Sequence, residues 1–165
     1  KMKVIVRNAL IASLYVVLTV INPFSFESIQ FRISEILILL VFFRKDYFWG
    51  LVAGCVIANL FSPMGIYDVL FGTIATILSL ICIMYSKHLF ITWIFPTIFN
   101  AIIVGLELYL ILELPFWASL IGVAIGEAVV MIIGVVLFYF LKKNKAFMIL
   151  IEANQNCNLE SDLSN

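Results

Sequence analysis

Apolar stretches of about the length that crosses a bilayer follow one another along this chain with little between them. A helix needs about 20 such residues to span the ~30 Å hydrocarbon core. Mean hydropathy of +1.17, with 64% hydrophobic and 12% charged residues, excludes an ordinary soluble domain. Lipid offers the backbone no hydrogen-bond partners, so only helices or closed barrels can cross it. Barrel strands alternate apolar and polar side chains, and no such alternation occurs here. The sequence therefore predicts an all-α integral membrane protein. Its first apolar segment is long and followed by others, so it reads as a span and not as a cleaved leader.

Six transmembrane helices can be drawn: about Val4 to Ile21, Ser34 to Phe43, Tyr47 to Phe61, Tyr67 to Ser86, Leu89 to Leu112 and Phe116 to Leu141. The second and third are short for a bilayer, so they tilt, begin earlier or thin the membrane; a re-entrant pair is the competing reading. Residues 1–145 form the transmembrane domain in this scheme, and residues 146–165 a short tail. The six-span scheme puts Lys1, Lys3, Arg7, Arg44, Lys45, Lys87, Lys142, Lys143 and Lys145 on one side and Arg32 alone on the other. The positive-inside rule makes the basic side cytoplasmic, with both termini inside.

With that topology, the acidic residues gather toward the exterior. Glu35 opens span two and Asp68 opens span four. Glu107 lies ~7 Å below the outer end of span five, and Glu127 ~16 Å into span six, at about the depth of Asn100. Asn100, Val104 and Glu107 share one helix face, and Asp68, Gly72, Ala75, Thr76 and Ser79 make a small or polar stripe on span four. Ionisable groups within a bilayer are expensive and mark functional sites or structural pairs. The pattern suits a polar-ligand pocket open to the exterior; the alternative is that these groups tie helices together. Gln30, Phe31 and Arg32 precede Glu35 in the loop after span one. Phe31, Tyr67, Phe99 and Trp117 are aromatic candidates for stacking on a planar ligand, with packing or an interfacial belt as the competing role.

Small residues recur every fourth position in span three (Gly50, Gly54, Ala58) and span six (Ala118, Gly122, Gly126), a pattern that lets helix backbones approach. Span one carries two small or polar pairs, Ala9 with Ser13 and Asn8 with Ala12. Ala9, Ala12 and Ser13 read either as a docking strip for another membrane subunit or as internal packing.

Zero formal net charge gives no electrostatic case for nucleic acid. Cys55, Cys82 and Cys157 lack metal-ligand spacing, and the only histidine, His88, falls in a turn on the basic side. No metal, cofactor or catalytic site is expected. No Walker glycine loop occurs, so energy for uphill transport must come from an ion gradient or from partner subunits.

Several strings carry a resemblance: Asn8-Ala9-Leu10-Ile11-Ala12-Ser13-Leu14-Tyr15, Ile29-Gln30-Phe31-Arg32-Ile33-Ser34-Glu35, Ala58-Asn59-Leu60-Phe61-Ser62-Pro63 and Asp68-Val69-Leu70-Phe71-Gly72-Thr73. Gly105-Leu106-Glu107-Leu108-Tyr109-Leu110, Leu114-Pro115-Phe116-Trp117 and Val123-Ala124-Ile125-Gly126-Glu127 continue the series. Over roughly residues 8–141 the chain resembles the QueT-type queuosine-precursor transporters, substrate-binding S components of energy-coupling-factor (ECF) systems. The resemblance implies a six-helix bundle in a bacterial cell membrane, with a ligand site near the exterior. It also implies a transmembrane coupling protein and two cytosolic ATPases as partners, and a 7-deazaguanine ligand such as queuine or 7-aminomethyl-7-deazaguanine. Carboxylates and amides complement the N–H donors of such a base. The alternatives are an S component for another vitamin-like molecule, a membrane-embedded enzyme using two carboxylates, and a scaffold subunit.

Overall fold

The computed structural model describes residues 2–22 and 32–151, and every regular element among them is helical. Among the described residues, four stretches are long and apolar enough to cross a membrane: Met2–Ile21 (α1), Ile66–Met84 (α4), Leu89–Leu112, which contains α5 (Ile94–Leu112), and Phe116–Leu141 (α6). Two shorter apolar segments lie between α1 and α4, Ile33–Phe43 and Phe48–Leu60 (α3). A six-residue helix, Lys145–Leu150 (α7), follows α6.

The segment Ile33–Phe43 changes helix type along its length. Ile33–Leu39 is a 3-10 helix, followed by one α-helical turn, Leu40–Phe43 (α2). Rising ~2.0 Å per residue in the 3-10 part and ~1.5 Å in α2, eleven residues extend about 20 Å. The thirteen residues of α3 reach a similar length at helical rise.

Helix order around the bundle is α1, α3, α4, α5, α6, and the Ile33–Leu39 helix closes the ring by touching both α6 and α1. This segment and α2 form the middle of the molecule: Ile38, Leu39, Val41, Phe42 and Phe43 are all buried. By contrast α1 is peripheral and fully buries only Tyr15 and Thr19. Its exposed Ile5, Leu10 and Val17 suit contact with hydrocarbon.

Lipid supplies no hydrophobic force between helices, so close backbone approach replaces it. A Cβ on Gly50 would come within 2.9 Å of three Asn8 atoms, and one on Gly54 within 3.1 Å of Ala12. The α3 ladder is thus the seat of α1, further pinned by Asn8 Oδ1 accepting from the Gly50 amide at 2.9 Å.

Connections give the bundle two distinct ends. At one, α1 ends, the Ile33–Leu39 helix begins, and tight turns join α3 to α4 and α5 to α6. At the other lie the start of α1, the 43–48 and 84–94 turns and α7; Tyr47 there donates to the Ile151 carbonyl at 2.9 Å. Lys3, Arg7, Arg44, Lys45, Lys87, Lys142, Lys143 and Lys145 all fall in or beside the segments of this second end. Arg32 sits at the first.

Candidate ligand site at the Arg32 end

The first end collects buried polar side chains. Arg32 caps the start of the 3-10 helix, and its Nη2 donates to Asn59 Oδ1 on α3 at 2.8 Å. Its Nη1 lies 4.0 Å from Glu35 Oε1, a turn later in the same helix. Tyr15 on α1 donates to that Glu35 oxygen at 2.6 Å. One turn further along α1, the Thr19 and Ser34 hydroxyls are 2.5 Å apart. Asn59 continues the network by donating to Cys55 Sγ at 3.4 Å, and Cys55 reaches Thr76 on α4 at 3.3 Å. Arg32, Glu35, Asn59 and Thr76 are each at most 4% exposed. Three helices and the 3-10 segment are therefore stitched together by charge-assisted and neutral hydrogen bonds in a low-dielectric interior, where such bonds are strong.

A second set of acids joins from α4, α5 and α6. Asp68, in the first turn of α4, accepts a hydrogen bond from Ser62, whose Oγ in turn accepts from the Met64 amide. Gly65 makes this turn possible: its φ of 58° and ψ of −117° belong to backbone that L side chains rarely adopt. Glu107 on α5 lies with its carboxyl against that of Asp68. Glu127 on α6 is within electrostatic reach of both Glu35 and Arg32.

Buried polar atoms are normally partnered, and exceptions call for an explanation. Here both oxygens of Glu107, one of Glu127 and one of Glu35 have no hydrogen-bond partner, although all three residues are at most 1% exposed. Among the described residues, Glu35, Glu107 and Glu127 lie within electrostatic reach of the Arg32 guanidinium, and their oxygens keep acceptor capacity to spare. The arrangement can receive N–H donors or positive charge.

The sequence candidates divide. Arg32, Glu35, Asp68, Glu107 and Glu127 come together. Asn100 is buried on α5, but its amide donates to the Pro96 carbonyl of its own helix at 2.9 Å. Tyr67 is half exposed and Phe99 half-buried, whereas Trp117 is largely exposed and packs edge-on against Phe116. Gln30 and Phe31 lie outside the described residues. Tyr15, Asn59 and Ser62, not singled out as ligand-site residues from sequence, belong to the site by their bonds to Glu35, Arg32 and Asp68. Their signal was a polar side chain on an otherwise apolar stretch, without the charge that drew notice to the acids.

At the opposite end, a groove of about 470 Å³ runs between α1 and α3, lined by Asn8, Ala9, Ala12, Lys45, Trp49 and Gly50 among others. Ala9 and Ser13 are exposed, and Asn8 and Ala12 are half-buried against α3.

A family model described as QueT transporter matches residues 5–143. The chain belongs to the QueT transporter family. A curated relative, the queuosine precursor transporter QueT of Lactococcus lactis subsp. cremoris (strain MG1363), is 33% identical over 147 residues, covering 79% of this chain and 86% of the relative. No solved structure matches. Membership of the QueT transporter family and the apolar helices together make this an all-helical membrane protein with a transport role.

Proposed function

We propose that the chain is the substrate-binding S component of an ECF-type importer and takes a queuosine precursor, queuine or a related 7-deazaguanine, from the extracellular side. The observation that carries the ligand reading is the group of buried carboxylates with unpartnered oxygens around Arg32. A deazaguanine edge offers a ring N–H beside an exocyclic NH₂, and a carboxylate accepts two such parallel donors. Glu127 and Glu35 are the acids for that edge. Arg32 holds Glu35, Asn59 holds Arg32, and Asn100 lines the wall from α5. Gln30 and Phe31 from the adjoining loop, with Tyr67, Phe99 and Trp117 around the rim, complete the proposed ligand-binding set. The relative's name supports the same ligand class.

In this reading six helices cross the bilayer, the two short ones made sufficient by the 3-10 rise and local thinning. The end rich in Lys and Arg faces the cytoplasm, so Glu35, Asp68, Glu107 and Glu127 open outward. The sequence contains no nucleotide-binding glycine loop. In the importer that the family resemblance implies, energy comes from two cytosolic ATPases through a transmembrane coupling protein, which docks on the exposed Ala9–Ser13 face and the half-buried Ala12 beside it.

Two measurements test this. Isothermal titration of purified protein with queuine and 7-aminomethyl-7-deazaguanine, against a panel of vitamins, should show saturable binding of the deazaguanines alone. Co-expression with a coupling protein and its ATPases should yield a stable complex and ATP-dependent uptake. Binding of a vitamin in place of the bases overturns the ligand; uptake by the chain alone overturns the S-component assignment.

A further inference from the structure

Within this group the buried acids make two pairs. Glu35 and Glu127 surround Arg32, whereas Asp68 and Glu107 lie against each other at the α4–α5 contact. Glu107 is completely buried and neither of its oxygens has a hydrogen-bond partner; Asp68 is 7% exposed and accepts from Ser62. Two ionised carboxylates in contact would repel strongly in a low-dielectric surrounding, so the pair must either share a proton or receive a positive charge in its place. Arg32 is within electrostatic reach of Glu107, and it donates to Asn59 and lies 4.0 Å from Glu35.

A positive charge with several N–H donors is the complement of such a pair. An ammonium supplies three donors in an adaptable geometry. A divalent metal requires more ligands than two side chains offer, and among the described residues no group of three or more His, Cys, Asp or Glu side chains could hold one. A 7-substituted deazaguanine has the matching layout: its N–H edge and its 7-substituent project from opposite sides of the bicycle, one for each acidic pair.

We propose that Asp68 and Glu107 form an ammonium subsite, which selects deazaguanines bearing an amine on the 7-substituent over neutral ones. This rests on the reading of the ligand as a queuosine precursor and adds to it the charge the ligand must carry. The test is isothermal titration of the full chain with 7-aminomethyl-7-deazaguanine and with its 7-hydroxymethyl counterpart, which has nearly the same shape and no charge. The amine should bind at least about tenfold tighter, the equivalent of one charge-assisted hydrogen bond. In Glu107→Gln the two affinities should converge to within about twofold, chiefly through loss of amine affinity. Equal affinities in the unaltered protein overturn the subsite while leaving base recognition intact. Failure of both compounds to bind overturns the ligand reading itself. The comparison on the unaltered protein decides the matter even if the variant does not fold.

Discussion

The Tyr15 phenol donates a 2.6 Å hydrogen bond to Glu35 Oε1, the same oxygen that lies 4.0 Å from the Arg32 guanidinium. Tyr15 belongs to the peripheral α1, so this bond joins the helix with the most exposed face to the interior of the candidate site. It also lies against Gly54, one turn from the Ala12 contact that seats α1 on α3. A side chain that senses Glu35 is thereby built into the α1–α3 seam.

Tyr15→Phe keeps the ring and removes the donor. Glu35 Oε2 already lacks a partner, so the change leaves the carboxylate with only the distant guanidinium. Losing one partner of a buried charged group costs about 1–3 kcal/mol. The expected outcome is a lowered melting temperature in detergent together with weaker ligand binding by titration. Unchanged values for both would show the bond to be dispensable.

The two faces of α1 should respond differently to bulk. Gly54→Leu drives a side chain into Ala12 and Tyr15, where the glycine Cβ position is already about 3 Å from both. Forcing helices apart falls among the larger single-site effects, roughly 2–5 kcal/mol, and should lower expression and melting temperature. Ala9→Trp with Ser13→Trp lies on the exposed face and should leave melting and ligand affinity as they were. In the proposed importer the same pair should abolish co-purification with the coupling protein and uptake. Loss of ligand binding in the Trp pair would make that face internal packing.

Gly65 tests the turn that delivers Ser62 to Asp68. Nothing lies within 4 Å of where its Cβ would be, so space does not forbid alanine there. The backbone does: φ of 58° with ψ of −117° is a conformation in which a non-glycine residue costs about 1–3 kcal/mol. Gly65→Ala should lower the melting temperature by several degrees, and Ser62→Ala should reproduce part of any loss in amine affinity without the backbone strain. A Gly65→Ala protein that melts as the unaltered one does would contradict the strain argument.

Hydropathy made the helical membrane class legible, because lipid leaves the backbone few solutions. Basic residues foretold which segment ends lie together: Arg44, Lys45, Lys87 and Lys142 do share one end. Acid positions were legible for the same reason that they are costly, and Glu35, Asp68, Glu107 and Glu127 do converge. The 3-10 character of Ile33–Leu39 was not legible, since its spacing of apolar residues does not separate a 3-10 from an α-helix over so few turns. Tyr15 and Asn59 were missed as site residues because a lone neutral polar group on an apolar helix has many roles, and only its partner reveals which one. Ala9 and Ala12, alike in sequence, separate only when α3 is seen to cover one side of α1. Trp117 illustrates the converse: an aromatic beside the α5–α6 turn is equally at home at a membrane interface, and its exposure favours that role.

The central claim is that buried acids at the Arg32 end bind the ligand, and Glu127 tests it most directly against Glu113. Glu127 is buried near the middle of α6 with one oxygen unpartnered, whereas Glu113 is exposed at the left-handed end of α5. Titration of 7-aminomethyl-7-deazaguanine into both glutamine variants should show Glu127→Gln weakened by about 10- to 100-fold and Glu113→Gln within about twofold of the unaltered protein. Equal, near-native affinities in the two variants would contradict the account.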